Sequence, residues 1–220
     1  MEYKDLGLID YKQAWDYQES LFNQNIQRKK EGERTTNFLL FCEHPHTITI
    51  GKNGQAQNLL LSQQMLGDKG VSVFNIDRGG DVTYHGPGQI VVYPIFDLET
   101  FGIGLRQYVY NIEEVMIRFS LKYNVSAERL EGATGVWLDI NNARRCRKIG
   151  AIGIRCSRFI TMHGMALNIN TDLSYFNLIN PCGFTDKGVT SFEQEKGEKI
   201  SMTSVKDYLK QLFSEIFVLK

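Results

Sequence analysis

Apolar positions recur with the i, i+3, i+4, i+7 spacing of a core-facing helix in three stretches of the chain. The clearest runs through Leu105, Tyr108, Val109, Ile112, Val115, Met116 and Phe119, with Arg106, Glu113, Glu114 and Arg118 on the opposite face. The C-terminal stretch repeats the pattern at Val205, Tyr208, Leu209, Leu212, Phe213, Ile216 and Phe217, with Thr203 or Ser204 available to cap its first turn. An N-terminal helix is predicted from Asp10, whose carboxylate can cap while Gln13 reaches back, and it buries Ala14, Tyr17, Leu21 and Phe22. Between the helices lie short runs of branched and aromatic residues bounded by Gly, Asn or Pro, at 37–42, 47–50, 71–76, 89–95, 136–140, 148–154 and 159–169, which read as strands. The order helix, strands, helix, strands, helix predicts an α+β fold with a mixed or largely antiparallel sheet. No repeat period is present. The only linker-like stretch is 193–199, so residues 1–220 read as one domain.

With 220 residues, 42% hydrophobic content and a mean hydropathy of -0.27, the chain can bury a full core, which excludes a disordered protein. Lys plus Arg and Asp plus Glu both total 25, so no global field recommends nucleic acid or a membrane as partner. The start lacks a basic and then apolar leader, and no run approaches the length of a membrane span, which predicts a cytoplasmic protein. Cys42, Cys146, Cys156 and Cys182 form no CxxC pair, so reduced thiols are expected rather than a zinc site or disulfide framework. Cys42 and Cys156 read as strand residues. Cys146 falls among Arg144, Arg145, Arg147 and Lys148 and reads as a hairpin tip, a second thiol open to adventitious reaction.

Candidate chemistry concentrates after the strand at 71–76. Asp77 is followed by Arg78, Gly79, Gly80, Asp81, Val82, Thr83, Tyr84, His85, Gly86, Pro87, Gly88 and Gln89. Glycine at this density suits backbone that takes positive φ or lies close to a bound molecule, and the interspersed polar side chains can fix a carbonyl. No lysine follows as in a phosphate loop, and the next element is a strand, so a nucleotide motif is not indicated. Cys182 sits in the turn Asn180-Pro181-Cys182-Gly183, where a nearby cation could hold its thiolate for nucleophilic attack. Lys148 opens a strand whose Gly150, Ala151 and Gly153 are small enough for a chain to lie along the backbone. His163, Gly164, Met165, Ala166 and Leu167 repeat that theme, with Met165 as a soft apolar lining. His44 and His46 flank Pro45 without a third ligand nearby, so no metal is assigned.

The segment RGGDVTYHGPGQ resembles the signature of the lipoyl(octanoyl) transferases, R-G-G-x-x-T-aromatic-H-x-x-G-Q, with every fixed position present. The resemblance continues through His44-Pro45, Thr49, Gly51, Lys148-Ile149, Ala151-Ile152-Gly153, Thr161, His163-Gly164, Ala166-Leu167-Asn168, Pro181-Cys182-Gly183 and Thr190-Ser191, nearly the whole chain. It departs mildly at Gly150, where larger small residues are usual, and at Cys146. The resemblance implies the fold shared by biotin and lipoate ligases. It implies Cys182 as acyl-accepting nucleophile and Lys148 as its base, with Arg78–His85, Ala151–Gly153 and Gly164–Ala166 around the acyl group. It further implies an octanoyl-acyl carrier protein donor, an apo lipoyl-domain lysine as acceptor, and no cofactor or ATP, because one thioester replaces another. Arg144, Arg145, Arg147, Arg155 and Arg158 are candidates for a basic face toward the acidic carrier. The rival readings are an ATP-dependent lipoate or biotin ligase, a lipoyl-domain binder without chemistry, and a thioesterase.

Overall fold

Alternation in the central strands explains how one sheet comes to be buried on both sides. The computed structural model describes residues 1–180 and 187–219. In β2 (Phe38–Glu43), Leu39 and Phe41 face one core cluster while Phe38, Leu40 and Cys42 face another. In β6 (Gln89–Ile95), Ile90 and Val92 divide from Val91, Tyr93 and Ile95 in the same way. In β10 (Ile160–Asn168), all nine residues are buried. A strand covered on both faces reads as a continuous apolar run rather than as polar alternation.

The first cluster packs under α3 (Leu105–Lys122) and α5 (Met202–Ile216), and the second under α1 (Tyr11–Lys30). The large sheet is completed by β1 (Glu2–Leu8), β7 (Glu128–Leu130), β8 (Ala133–Leu138), β9 (Arg147–Ser157) and β11 (Gly188–Val189), in the order β1-β2-β6-β10-β9-β8-β7 with β11 beside β9. Only the β1–β2 and β11–β9 pairings are parallel among its described strands, so the sheet is mixed and largely antiparallel, as the element order predicts. A small sheet of β3 (Thr47–Ile50), β4 (Ser72–Asn75) and β5 (Val82–His85), in the order β4-β3-β5, forms a third cluster with α2 (Gln63–Asp68) and the turn at Leu173–Leu178. No described helix is long and apolar enough to cross a membrane.

Several local expectations are corrected. Strand β1 precedes the first helix; its sequence alternates weakly, and its pairing with β2 makes it a strand. Asp10 does cap α1, accepting from the Lys12 and Gln13 N–H groups, but Tyr17 is only half-buried while Gln18 and Asn25 are fully buried. Ser201, not Thr203 or Ser204, caps α5. Glu113 belongs to the buried face of α3, where it accepts from Gly135 N–H at 3.0 Å and pairs with Arg129 at 3.1 Å. The stretch read as a linker contains α4 (Phe192–Lys196), which Phe192 anchors in the core. Cys146 is 3% exposed, with its N–H on Asn142 O and its carbonyl accepting from Gly188, so it is withdrawn from reagents.

Gly164 marks the tightest approach between central strands: a Cβ there would stand 2.2 Å from Val92 O and 2.6 Å from Pro94 Cδ. A backbone carbonyl and a proline ring of β6 cannot yield as a flexible side chain would. Gly164→Ala is therefore expected to cost roughly 1–3 kcal/mol of overpacking, read as a lowered urea midpoint.

Candidate active site

A cleft of about 1000 Å³, open to solvent, lies between the small sheet and the face of β9 and β10. Its floor follows from register. Gly164 stands opposite Gly153, and Ala166 opposite Ala151 on one side and Val91 on the other. Residues two apart on a strand share a face, so these four small residues form one patch, bounded at Gly153 by the stem of Arg78. Met165 and Ile152 also contribute to the wall.

The glycine-rich segment closes the opposite wall. Arg78 is 7% exposed, and its guanidinium reaches across to β3, donating to Thr49 O at 2.8 Å, to Thr49 Oγ1 at 2.9 Å and to Gly79 O at 3.1 Å. Gly79 N–H donates to Ile154 O at 2.9 Å, which fixes the segment to β9. Gly80, Asp81, Val82, Thr83 and His85 line the cleft with Arg78. Gly79 and Tyr84 do not: Gly79 faces β9, and Tyr84 turns into the third cluster, bonding His46 Nδ1 at 2.7 Å and stacking on Tyr175.

Two imidazoles in the cleft have fixed orientations. Gln89 donates its amide to Tyr84 O and to Asn168 Oδ1, so its Oε1 must accept the Nδ1–H of His85, at 2.7 Å. His85 then turns Nε2 as an acceptor. Burial, reinforced by the nearby His44, lowers its pKa to about 3, so it is neutral. His163 holds Asp77 Oδ1 through Nε2 at 2.8 Å, and Arg155 holds the other Asp77 oxygen at 2.5 Å. His163 has φ 61°, left-handed backbone inside a strand, a strained state associated with functional positions. Its Nδ1 is buried without a protein partner. Outside the cleft floor, His44 donates to Ile9 O at 2.8 Å and accepts from Tyr93 Oη at 2.7 Å, and burial lowers its pKa to about 4. Among the described residues, no group of three or more His, Cys, Asp or Glu is placed to hold a metal ion.

Lys148 lines the same cleft, with Trp137 of β8 beside it. Gly188 and Val189 of β11 pair with Arg147 and Lys148, and Lys187 leads into the cleft from the segment before them. Cys182, the expected nucleophile, lies outside the described residues, as do Pro181 and Gly183. The structure thus gathers Lys148, most of the glycine-rich segment and the two small-residue strands around one cavity. Sequence reasoning missed Tyr11, Tyr93, Trp137, Phe176 and Lys187 in its lining. Trp137 and Tyr93 carried a signal, since they lie in the predicted strands 136–140 and 89–95. The five arginines do not make one basic face: Arg147 is clamped between Asp139 and Glu195, Arg145 pairs with Asp139, and Arg155 sits roughly 26 Å along β9 at about 3.3 Å per residue.

The model of the lipoyl protein ligase A/B catalytic domain matches residues 10–214. An octanoyltransferase of Parabacteroides distasonis is 55% identical over 98% of this chain and 97% of its own length. A lipoate protein ligase from T. acidophilum, solved with bound lipoic acid, superposes with a TM-score of 0.67 at 17% identity over 98% of this chain and 86% of that one. A biotin protein ligase from Aquifex aeolicus gives 0.52 at 11% identity over 98% and 70%. These two share the fold that the resemblance implied.

The buried imidazoles set the acid sensitivity of the fold. Unfolded histidines take up protons near pH 6.5, whereas His44 and His85 resist protonation down to about pH 4 and about pH 3. The unfolded state therefore binds more protons below pH 6.5, and stability falls as the pH falls. Each imidazole is expected to cost roughly 2 kcal/mol by pH 5, and calorimetry should show Tm dropping between pH 7.5 and 5, less steeply in His44→Gln.

Proposed function

Because the chain belongs to the lipoyl protein ligase A/B catalytic-domain family, and within it to the octanoyltransferases, we propose that it works as a single catalytic domain passing octanoyl through a thioester on Cys182 with Lys148 as proton carrier. Its activity is octanoyl transfer in protein lipoylation. The observation that carries the mechanistic reading is the β11–β9 pairing, which sets Gly188 and Val189, six and seven positions after Cys182 in sequence, beside Arg147 and Lys148.

In the first half-reaction Lys148 accepts the Cys182 proton or stabilises its thiolate. Sulfur attacks the octanoyl carbonyl of octanoyl-acyl carrier protein; the carrier's thiol leaves and takes a proton. In the second, the amine of a lipoyl-domain lysine attacks the enzyme thioester. An amide forms, the carbon–sulfur bond breaks, and Lys148 returns the amine's proton to sulfur. Ordinary thiol and ammonium pKa values of about 8.5 and 10.4 leave neither group reactive at pH 7, so the pair must be coupled. The chain exchanges one thioester for another and then for a more stable amide, so no ATP is consumed. Gly153, Gly164, Ala151 and Ala166 supply the flat floor along which the octanoyl chain lies, with Met165 and Ile152 beside it. Arg78, Gly80, Asp81, Val82, Thr83 and His85 supply the facing wall.

Intact mass after incubation with octanoyl-acyl carrier protein is expected to show one octanoyl adduct on the wild type and none on Cys182→Ser; an adduct that persists in the variant, or a requirement for ATP, rules the assignment out. Lys148→Ala is expected to lose adduct formation at neutral pH and to recover part of it at high pH, where thiolate forms unaided. An unaltered rate at pH 7 would remove the lysine from the mechanism.

A further inference from the structure

Lys148 and Trp137 are direct cross-strand partners in the β8–β9 ladder, and their side chains lie on one face. A register shift between Val136 and Trp137 sets this pairing. The lysine Nζ stands 4.4 Å from the centre of the Trp137 ring, well inside the reach of a cation–π contact. The indole is 2% exposed, and its Nε1–H donates to Ala133 O at 3.0 Å, which fixes the ring plane. The lysine backbone is held on its other edge, where Val189 pairs with it and Thr190 N–H donates to Lys148 O at 2.9 Å. Both side chains line the cleft.

We propose that the indole face of Trp137 is the platform that keeps Lys148 protonated and aimed along the cleft, which makes Trp137 a positioning residue for the proton transfers. The proposal rests on the reading of Lys148 and Cys182 given above. Burial alone would push a lysine toward its neutral form. The ring's negative face opposes that, so the ammonium survives in the cleft and can stabilise a thiolate. Among the described residues, the charged or titratable groups around this part of the molecule include Arg147 with its partners Asp139 and Glu195, Lys187 before β11, and Arg78, Asp81, His85 and His163 in the cleft walls.

The chain has two tryptophans, so in Trp15→Phe protein fluorinated tryptophans enter only position 137, preserving the ring's shape while draining its π face. In a Cys182→Ser version, the pH midpoint for labelling of Lys148 by acetic anhydride, followed on its peptide by mass spectrometry, is expected to fall stepwise with fluorine number. A fall of about half to one pH unit is expected for the tetrafluoro ring, with Trp137→Phe between the wild type and Trp137→Leu. With Cys182 present, the midpoint for its alkylation by iodoacetamide is expected to rise over the same series. A Lys148 midpoint that ignores fluorination, or one that moves while Cys182 alkylation stays fixed, overturns the proposal. Because the lysine arm needs no thiol, it can succeed even if Cys182 proves not to be the nucleophile, and an octanoyl adduct on Cys182 with an unmoved lysine midpoint would sink only the role of Trp137.

Discussion

The buried side chain of Arg78 bridges the two sheets at the cleft, its guanidinium on Thr49 of the small sheet and its stem against Gly153 of the large one. A charge this deep is costly unless its donors are satisfied. Thr49 of the small sheet supplies both a carbonyl and a hydroxyl, and Gly79 a second carbonyl. The stem of the side chain lies against the large sheet, where a Cβ on Gly153 would come within 2.7 Å of Arg78 Cδ, and one on Gly51 within 2.7 Å of its Nη1. Gly153 in β9 and Gly51 just beyond β3 thus make room for one arginine. The glycine-rich segment is a strut as much as a cleft wall, and β5 within it pairs with β3.

A second constraint runs along the cleft as a chain of hydrogen bonds that converges on Glu195 from both ends. His85 donates to Gln89, Gln89 to Asn168, and Asn168 to Thr190 O; the Thr190 hydroxyl donates to Glu195, which takes two further bonds from Arg147. Each amide has its oxygen and nitrogen assigned by its partners, so no member can flip without orphaning a buried group. Its last link, Arg147, neighbours Lys148 in β9. The network therefore couples the wall built by the glycine-rich segment to the strand β11 and to the lysine's backbone. Helix α4, short and charged, earns its place as the support for Glu195.

Such a cavity suits an apolar chain attached to a polar carbonyl. The floor is backbone and methyl groups, the rim carries oriented imidazoles and a lysine, and bulky aromatics stand back at the edges. Tyr11 stacks on His85 at 5.8 Å between ring centres and shields it from above, which keeps that imidazole neutral through burial. The strained backbone of His163 is held by Asp77 and, through its N–H, by Gln18 of α1, so the helix that packs on the same cluster as Ala166 of the floor also sets the geometry of the wall.

The sequence by itself determined the fold class, the central strands and the three long core-facing helices, because hydrophobic period and glycine placement are local properties written in consecutive residues. It also marked the glycine-rich segment, Lys148 and the small-residue strands, since each has a composition that a plain core would not require. It could not determine that Gly79 and Tyr84 turn away from the cleft, that Glu113 is buried, that Cys146 is shielded, or that residues 192–196 form a helix. Those outcomes depend on partners distant in the chain: Ile154 for Gly79, Gly135 for Glu113, Gly188 for Cys146 and Arg147 for Glu195. Above all, the meeting of Trp137 with Lys148 is a matter of strand register, and register is decided only when two separated segments pair and one face is buried.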